Sequence, residues 1–260
     1  MGDILQSREG GVLTLVNSDP ATRNALTPDF YDRFRDIVEE AGDDSAVRAI
    51  VVTGAQGFFC SGGNVAGLRQ RLEQDTAQRR AGADRLHAMI HAMRACPKPI
   101  LAAVEGGAAG AGVSLALASD LIVAAKGAYL SVAYVRIGLT PDGGSTAFLS
   151  DMLPRQLVAE MLWTGDRISV ERLHALGVVN RLAEPGTALA EAQAMAARLA
   201  SGAAEAIGRG KTLLRAAETN DLAAQLDAEA DGIATSLGGA EAREGITAFL
   251  EKRKPDFPGR

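Results

Sequence analysis

The segment Val104-Glu105-Gly106-Gly107-Ala108-Ala109-Gly110-Ala111-Gly112-Val113-Ser114-Leu115 begins at the last residue of the apolar run 99–104. The apolar run predicts a buried strand, and the residues after the glycines predict a helix that begins against the sheet. The first amides of such a helix have no partner within it, so they favour an anion or developing negative charge. The stretch therefore predicts a strand, a tight loop and a helix whose N-terminus is available for binding.

A dinucleotide-binding loop is the first alternative for this stretch, because such loops also join a strand to a helix. The glycines here do not have the G-x-G-x-x-G spacing, and no acidic residue ends a strand about 20 residues further on. Tyr129 and Tyr134 are not followed by Lys four residues later, as a short-chain dehydrogenase requires. We therefore expect no nicotinamide cofactor.

The same rhythm of a short apolar strand, a glycine-bearing loop and a helix extends outward from this stretch. The predicted strands and helices of this part are a hairpin of 4–6 and 12–16, a helix from Pro28 to about Ala41, a strand at 49–53, a helix at 76–94, and a strand at 121–125. Thr27 before Pro28 provides the N-cap of the first helix. Alternation of this kind predicts an α/β fold with a parallel sheet.

The pattern changes at Pro154, where strand signals disappear and alanine-rich helical segments follow. The predicted helices are 154–163, 169–176, 187–201, 203–217, 221–236 and 239–252, with one small strand at 178–182. The sequence thus predicts an α/β core at 1–195 and a helical C-terminal region at 196–260.

Composition excludes several classes of function. The net charge is −5, so a nucleic-acid surface is not expected. Two cysteines in 260 residues indicate reduced thiols, and the first residues contain no apolar segment of a secretory signal. No apolar run reaches the length of a membrane span. We expect a cytoplasmic protein.

Two further loops contain candidate functional residues. Residues 53–65 include Gly62-Gly63, which lets the backbone approach a ligand, although a tight turn explains the pair equally well. Residues 136–146 include Asp142 before a helix, where a capping role is the simpler interpretation of an aspartate taken alone.

Considered together, the motifs resemble the enoyl-CoA hydratase/isomerase (crotonase) family over nearly the whole chain. The matching segments are N-A-L at 24–26, T-G-x-x-x-x-F-C-x-G at 53–62, the small-residue helix start followed by A-x-x-x-D-x-x-x-A at 116–124, I-G-L-x-P-x-G-G at 137–144, L-G-V-V-N-R-L at 176–182, and A-F-L-E-K-R-K-P-x-F at 248–257. Several independent motifs in the right order make this resemblance specific for the family.

The resemblance implies a crotonase-like spiral of ββα units with a helical C-terminal trimerisation region, in a homotrimer or a dimer of trimers. It also implies an oxyanion hole formed by the backbone amides of Gly63 and Ala111, with Gly110 beside the latter. Such amides stabilise the enolate that forms when a thioester loses its alpha proton, and one donor contributes roughly 3–4 kcal/mol.

The family's hydratases carry two glutamates that hold a water molecule, and the corresponding positions here are Ser114 and Tyr134. Neither is a base at neutral pH. Asp142 lies where some isomerases of the family carry an acid, including those resembling the phenylacetate-pathway ring-opening isomerase. The resemblance therefore favours Asp142 as the acid/base of an isomerase that converts 3-enoyl-CoA to 2-enoyl-CoA or rearranges a ring adduct.

The residues implied for binding the substrate and its coenzyme A portion are Arg23, Ala25, Ser61, Asn64, Val65, Gly110, Ser114, Tyr134, Phe249 and Lys252. Phe249 and Lys252 correspond to positions that reach the coenzyme A of a neighbouring subunit. Asn64 departs from the family's usual aspartate. A solvated helix end is the alternative for the cations at 252–254.

Three alternatives remain open at this stage. Asp142 could instead activate water in a hydratase or in a thioester or ring hydrolase, or the chain could bind acyl-CoA without turnover. We expect no cofactor apart from the coenzyme A of the substrate, and no bound metal: His87 and His91 are four residues apart but have no evident third ligand.

Overall fold

The computed structural model describes residues 2–257 and contains a main sheet of six strands with helices on both faces. The strands are β1 (Asp3–Glu9), β2 (Val12–Ser18), β3 (Ala49–Gly54), β4 (Ile100–Val104), β5 (Gly107–Ala109), β6 (Leu121–Ala125), β7 (Tyr129–Ser131), β8 (Ile168–Ser169) and β9 (Arg181–Ala183). The α-helices are α1 (Pro28–Asp43), α2 (Val65–Gln70), α3 (Thr76–Ala95), α4 (Ala111–Leu117), α5 (Ser145–Met152), α6 (Arg155–Thr164), α7 (Val170–Ala175), α8 (Ala188–Ala200), α9 (Ala204–Ala217), α10 (Leu222–Leu237) and α11 (Ala240–Leu250).

The main sheet has the strand order β1-β2-β3-β4-β6-β9, and only the β1–β2 pair is antiparallel. Its central strands are buried on both faces, which explains their continuous apolar sequences. Val51 and Leu101 pack toward α8, whereas Ile50 and Ile100 belong to the larger core that contains α1 and α3. A four-residue repeat of buried alanines on α8 lets that helix approach the sheet closely. The predicted α/β class and parallel sheet are confirmed.

The helix boundaries agree closely with those expected from caps and periodicity. The Thr27 side chain accepts a hydrogen bond from the Phe30 amide at 3.2 Å and begins α1 as predicted. Each of the six helices expected after Pro154 is present, although α11 ends at Leu250 rather than at 252. Within residues 2–257, no helix combines the length and apolar character that crossing a bilayer requires.

Two strand predictions were wrong. The strand expected at 178–182 lies at 181–183, because Val178 and Val179 are buried in a turn closed by the Val178 amide on the Leu173 carbonyl at 2.9 Å. The expected end of strand signals at Pro154 missed β8, which completes a small second sheet in the order β5-β7-β8. Strands of two or three residues are too short to show a period.

Partly buried polar contacts join α9 to the core. The Lys211 ammonium donates to Asp120 Oδ2 at 2.8 Å and to the Met93 and Lys98 carbonyls at 3.1 Å. Asp120 Oδ2 also accepts from the Ile100 amide at 2.7 Å. The aspartate of the A-x-x-x-D-x-x-x-A motif therefore links β4, β6 and the C-terminal helices.

Candidate active site

The segment after β3 is held so that one amide faces away from its neighbours. Leu26 pairs with Gly63 in a parallel bridge, in which the Leu26 amide donates to the Gly62 carbonyl at 2.7 Å and the Asn64 amide donates to the Leu26 carbonyl at 2.9 Å. In this bridge the Gly62 carbonyl and the Asn64 amide, on either side of Gly63, are the groups that face Leu26. The Gly63 N–H therefore points away from Leu26 and is available to a ligand.

The second predicted amide belongs to Ala111, the first residue of α4. An N–H at this position has no acceptor within its own helix. The preceding Gly110 has φ +50° and ψ −128°, a conformation open to glycine but strained for other residues, and its amide donates to the Ser131 carbonyl at 2.9 Å. The turn at Gly110 thus aims the Ala111 amide out of the loop.

The two amide-bearing segments are in direct contact. A Cβ added to Gly62 would lie 2.7 Å from the Ala109 carbonyl oxygen and 3.4 Å from the Ala111 nitrogen. A bridge between Cys60 and Ala108 holds this approach, with the Ala109 amide donating to the Cys60 carbonyl at 2.9 Å. The structure therefore brings the two amides, predicted from separate motifs, to one place.

Asp142 lies in the loop before α5 and accepts hydrogen bonds from Tyr134 and Ser114. The Tyr134 hydroxyl donates to Asp142 Oδ1 at 2.6 Å. The Ser114 hydroxyl donates to the Asp142 main-chain carbonyl at 2.9 Å, from a buried position one turn after Ala111. A Cβ on Gly143 would lie 2.8 Å from Ser114 Cβ, which shows how closely the loop packs on α4.

The capping interpretation of Asp142 is wrong. The N-cap of α5 is Gly144, in the left-handed region at φ +83°, and no side chain caps this helix. Only the Asp142 main-chain carbonyl takes part in the turn, where it accepts from the Ser145 hydroxyl at 3.3 Å. The carboxylate is therefore left for another role.

Burial and the Asp142 carboxylate set the protonation of the nearby phenols. Burial raises the pKa of Tyr134, and the negative charge of Asp142 and the hydrogen bond to it raise that pKa further. Tyr134 is therefore a proton donor to the carboxylate at every physiological pH. Burial also raises the pKa of the Cys60 thiol, to about 12, so this cysteine is not a nucleophile.

Tyr31 of α1 is buried close enough to Asp142 for the charge of that residue to affect it, and the sequence interpretation did not include it. Burial raises its pKa first, and the charge of Asp142 raises it further while Arg71 opposes both. Its hydroxyl makes no hydrogen bond within residues 2–257. On α1, Tyr31 falls at a core position of the helical pattern, so nothing in the sequence separates it from a structural aromatic.

Five of the residues predicted to bind the substrate and its coenzyme A lie in one cluster near the first amide, namely Arg23, Ala25, Ser61, Asn64 and Val65. The Ser61 amide donates to the Arg23 carbonyl at 3.0 Å, and the Ser61 hydroxyl donates to the Thr22 carbonyl at 2.7 Å. Asn64 caps α2 by accepting from the Gly67 amide at 3.2 Å, so asparagine here still orders the loop. Val65 at the start of α2 is exposed, whereas Ala25 is buried.

Phe249 and Lys252 are apart from that cluster. Phe249 is 82% exposed, and Lys252 lies beyond the end of α11 with φ +54°. Among the described residues, neither makes a hydrogen bond or ring contact with the Asp142 loop. The structure of one chain therefore does not join them to the site.

An open cleft of about 480 Å³ lies next to the Arg23 segment rather than at Asp142. Its walls are residues of the loop before α1, the loop after β3, and the β7–β8 pair. The lining residues are Pro20, Arg23, Ala55, Gln56, Gly57, Phe58, Tyr129 and Arg167.

The chain is similar to known proteins over almost its whole length. Residues 7–260 match the family model described as enoyl-CoA hydratase/isomerase. The chain is 31% identical to the 1,2-epoxyphenylacetyl-CoA isomerase of Escherichia coli K12 over 99% of its length and 98% of the relative's. It is 33% identical to the 2,3-dehydroadipyl-CoA hydratase of the same organism, over the full length of both.

A solved structure is also closely similar. The enoyl-CoA hydratase from Polaromonas sp. JS666 superposes with a TM-score of 0.95 at 42% identity, covering 98% of this chain and 99% of that one. The names of these relatives include both isomerases and hydratases, and all of them act on thioesters of coenzyme A.

Proposed function

The chain belongs to the enoyl-CoA hydratase/isomerase family and has its crotonase-like fold, and we propose that it is an acyl-CoA isomerase with Asp142 as its acid/base. Asp142 removes a proton from C2 of a 3-enoyl-CoA and returns it to C4, so that the double bond moves to C2. The same groups serve a related rearrangement of a ring adduct. One carboxylate suffices, because the proton is removed and returned by the same group.

The amides of Gly63 and Ala111 hold the thioester oxygen while the enolate exists. They are the donors that meet at the contact between Gly62 and the start of α4. Fixed N–H groups stabilise the oxyanion without reorganising at the moment of reaction. This arrangement serves any reaction of the family that passes through an enolate, so the choice of reaction depends on the acid/base.

The observation that carries the proposal is the environment of Asp142. The positions that hold glutamates in the family's hydratases are occupied by Ser114 and Tyr134, and both donate hydrogen bonds to Asp142. The Ser114 hydroxyl donates its hydrogen bond to the Asp142 main-chain carbonyl, and the Tyr134 hydroxyl remains protonated. These two residues therefore orient the carboxylate rather than supply a second base.

The deciding experiment is turnover of a 3-enoyl-CoA by the Asp142→Asn variant. We expect kcat to fall about a hundredfold to ten-thousandfold, the range in which acid/base catalysis contributes. Asp151→Asn, which changes an exposed aspartate on α5, is the matched control and should retain full activity. Undiminished isomerisation in Asp142→Asn refutes the assignment.

Hydration is the second candidate reaction, and the hydratase names among the relatives favour it. In that reaction Asp142 activates a water molecule that adds to C3 of a 2-enoyl-CoA. Loss of the crotonyl-CoA enone absorbance at a rate above that of 3-enoyl isomerisation selects the hydratase. Retained binding of acyl-CoA with no turnover of either substrate selects a binding protein instead.

We further propose that the chain assembles as a homotrimer or a dimer of trimers through its C-terminal helices. Leu222, Leu226, Ile233 and Leu237 lie within about 60° of one another around α10, and each is exposed by at least 56%. An apolar stripe of this size on a monomer marks an interface. Assembly places Phe249 and Lys252 against the coenzyme A of the adjacent subunit.

A further inference from the structure

The side chain of Tyr31 on α1 ends in a hydroxyl that has no partner in the protein. The residue as a whole is only 7% exposed. Within residues 2–257 its hydroxyl makes no hydrogen bond, and the hydroxyl oxygen is not sealed off from open space. A phenol without a partner at a core position costs free energy that phenylalanine would avoid. The Tyr31 hydroxyl is therefore a donor that a ligand can use.

Arg71, the residue that ends α2, carries a cation that the protein does not neutralise. A Cβ added to Gly82 of α3 would lie 2.5 Å from Nη1 of Arg71 and 2.9 Å from its guanidinium carbon. The guanidinium thus lies against the bare backbone of this glycine, where a side chain would displace it. Among the described residues, Arg71 forms no salt bridge, no contact with an aromatic ring and no side-chain hydrogen bond.

Helix α3 places this guanidinium close to the proposed acid/base. Leu86 follows Gly82 by four residues, so the two lie on one face of α3 about one turn apart. The Leu86 side chain contacts the loop of Asp142, since a Cβ added to Gly143 would lie 3.1 Å from Leu86 Cδ2. One turn of a single helix therefore separates the guanidinium of Arg71 from the Asp142 loop.

Helix α1 brings Tyr31 to the same part of α3. Asp32, the residue after Tyr31, accepts a hydrogen bond from Arg85 Nε at 3.0 Å. Burial has the largest effect on the pKa of Tyr31 and raises it; the charge of Asp142 raises it further, and the charge of Arg71 lowers it. Both charges are thus close to the phenol. A free donor and a free cation converge beside Asp142.

The position of Tyr31 and Arg71 relative to the oxyanion hole indicates which part of a substrate they face. Helix α2 separates Gly63 from Arg71 and has six residues, which corresponds to about 9 Å along its axis. A thioester oxygen held at Gly63 is therefore several carbon atoms from the cation. Since Asp142 is the group that reaches C2 and C4, the phenol and the cation next to it face the remainder of the acyl group.

We propose that Tyr31 and Arg71 bind a carboxylate at the far end of the acyl group, so that the substrate is a coenzyme A thioester of a dicarboxylic acid. A guanidinium donates paired, charge-assisted hydrogen bonds to a carboxylate, and the phenol donates one more. A hydrocarbon end would leave the phenol unbonded and would place the cation against apolar atoms. The inference rests on the proposed function for the position of the acyl group and adds the class of substrate.

Binding of saturated thioesters tests this subsite without any turnover. Calorimetric titration compares adipyl-CoA with hexanoyl-CoA and glutaryl-CoA with valeryl-CoA, because the members of each pair have the same number of carbon atoms and differ in a terminal carboxylate or methyl group. We expect the wild type to bind the carboxylate member of at least one pair more tightly, by about tenfold or more.

Substitution of either residue should remove this preference. We expect Tyr31→Phe and Arg71→Met to bind the two members of the pair about equally, with the affinity for the methyl-ended thioester unchanged. Arg69→Met, which removes an exposed arginine of α2, is the matched control and should keep the preference of the wild type. Arg71→Gln replaces the methionine variant if the latter fails to fold.

Two results would overturn the proposal. One is equal affinity of the wild type for both members of each pair. The other is a loss of affinity for the methyl-ended thioester as large as that for the carboxylate, since Arg71 would then only order α2. The titrated thioesters contain no double bond to move, so turnover of a 3-enoyl-CoA by Asp142→Asn tests the acid/base separately. Each of the two proposals can therefore fail alone.

Discussion

Helices α4 and α10 use their apolar residues in opposite ways. All seven residues of α4 are buried, including Ser114, and its N-terminus carries the Ala111 amide. None of the sixteen residues of α10 is buried, although a stripe of leucine and isoleucine follows one side of it. Burial on every side holds α4 in place beside the candidate site, whereas the exposed stripe of α10 is the surface through which the proposed assembly would form.

The largest effect is expected from a substitution that disturbs the contact between α4 and the Gly62 loop. A Cβ at Gly62 meets the Ala109 carbonyl at 2.7 Å in a backbone with φ +97°, whereas a Cβ at Gly63 meets nothing within 4 Å. We expect Gly62→Ala to lower kcat/KM on the acyl-CoA by at least about a hundredfold, because both amides move. Gly210→Ala, on α9 where an added Cβ also meets nothing within 4 Å, should remain close to wild type. Steady-state kinetics on both variants checks this, and similar activities would contradict it.

A smaller effect is expected from Tyr134→Phe, which removes the hydroxyl that donates a hydrogen bond to the Asp142 carboxylate. We expect kcat to fall roughly tenfold with little change in KM, since a hydrogen bond that orients a charged group is lost. A double-mutant cycle with Asp142→Asn provides the control. If Tyr134 acts through Asp142, the double variant is no slower than Asp142→Asn alone, and additive losses would refute this role.

The exposed stripe is tested by placing charge on it. Leu226→Asp with Ile233→Asp should convert the assembly to monomers, because charges cannot be buried unpaired in an apolar interface. We expect a severalfold rise in KM for acyl-CoA as the contribution of the adjacent subunit is lost. Ala224→Asp, on the opposite side of α10, is the control. Sedimentation that gives one mass for all three proteins would contradict the proposed assembly.

The smallest effect concerns the end of the C-terminal region. The Arg253 guanidinium and the Asp256 amide lower the pKa of Glu244 from its ordinary 4.5 to about 2. A lowered folded-state pKa gives stabilisation that is present above pH 4.5 and lost as the pH falls toward 2. The protection factor of the Asp256 amide, which is its exchange rate corrected for the intrinsic pH dependence, should therefore fall over this interval, with no such fall in Glu244→Gln. Exchange that is independent of Glu244 would show that the contact contributes nothing.

Sequence patterns predicted the long elements well because each carries its own signal. Thr27 and Pro28 mark the start of α1, and the apolar runs of β3 and β4 extend over enough residues to reveal buried strands. The short strands β5, β7 and β8 were missed, and β9 was misplaced. A three-residue strand forms only because a neighbouring strand is present, so its cause lies elsewhere in the chain.

The candidate site was likewise predicted from the sequence only in part. The resemblance of its motifs to the family proposed Gly63, Ala111 and Asp142 as catalytic groups, and the structure brings the segments that carry them together at the start of α4. The motifs did not reveal that Tyr31 lies near Asp142 or that Asp142 does not cap α5. Each of these depends on which distant side chain or backbone group is adjacent, and no local pattern encodes that distance.

The sequence alone determined the α/β class, the helical C-terminal region and the membership of the loops in one family of acyl-CoA enzymes. Local propensity and short motifs suffice for these, since they act within a few residues of the chain. The contact of the two amide-bearing segments at Gly62, the hydrogen bonds from Ser114 and Tyr134 to Asp142, and the cleft shared by Arg23 and Arg167 depend on the tertiary structure. Close packing creates those contacts between segments that are far apart in sequence.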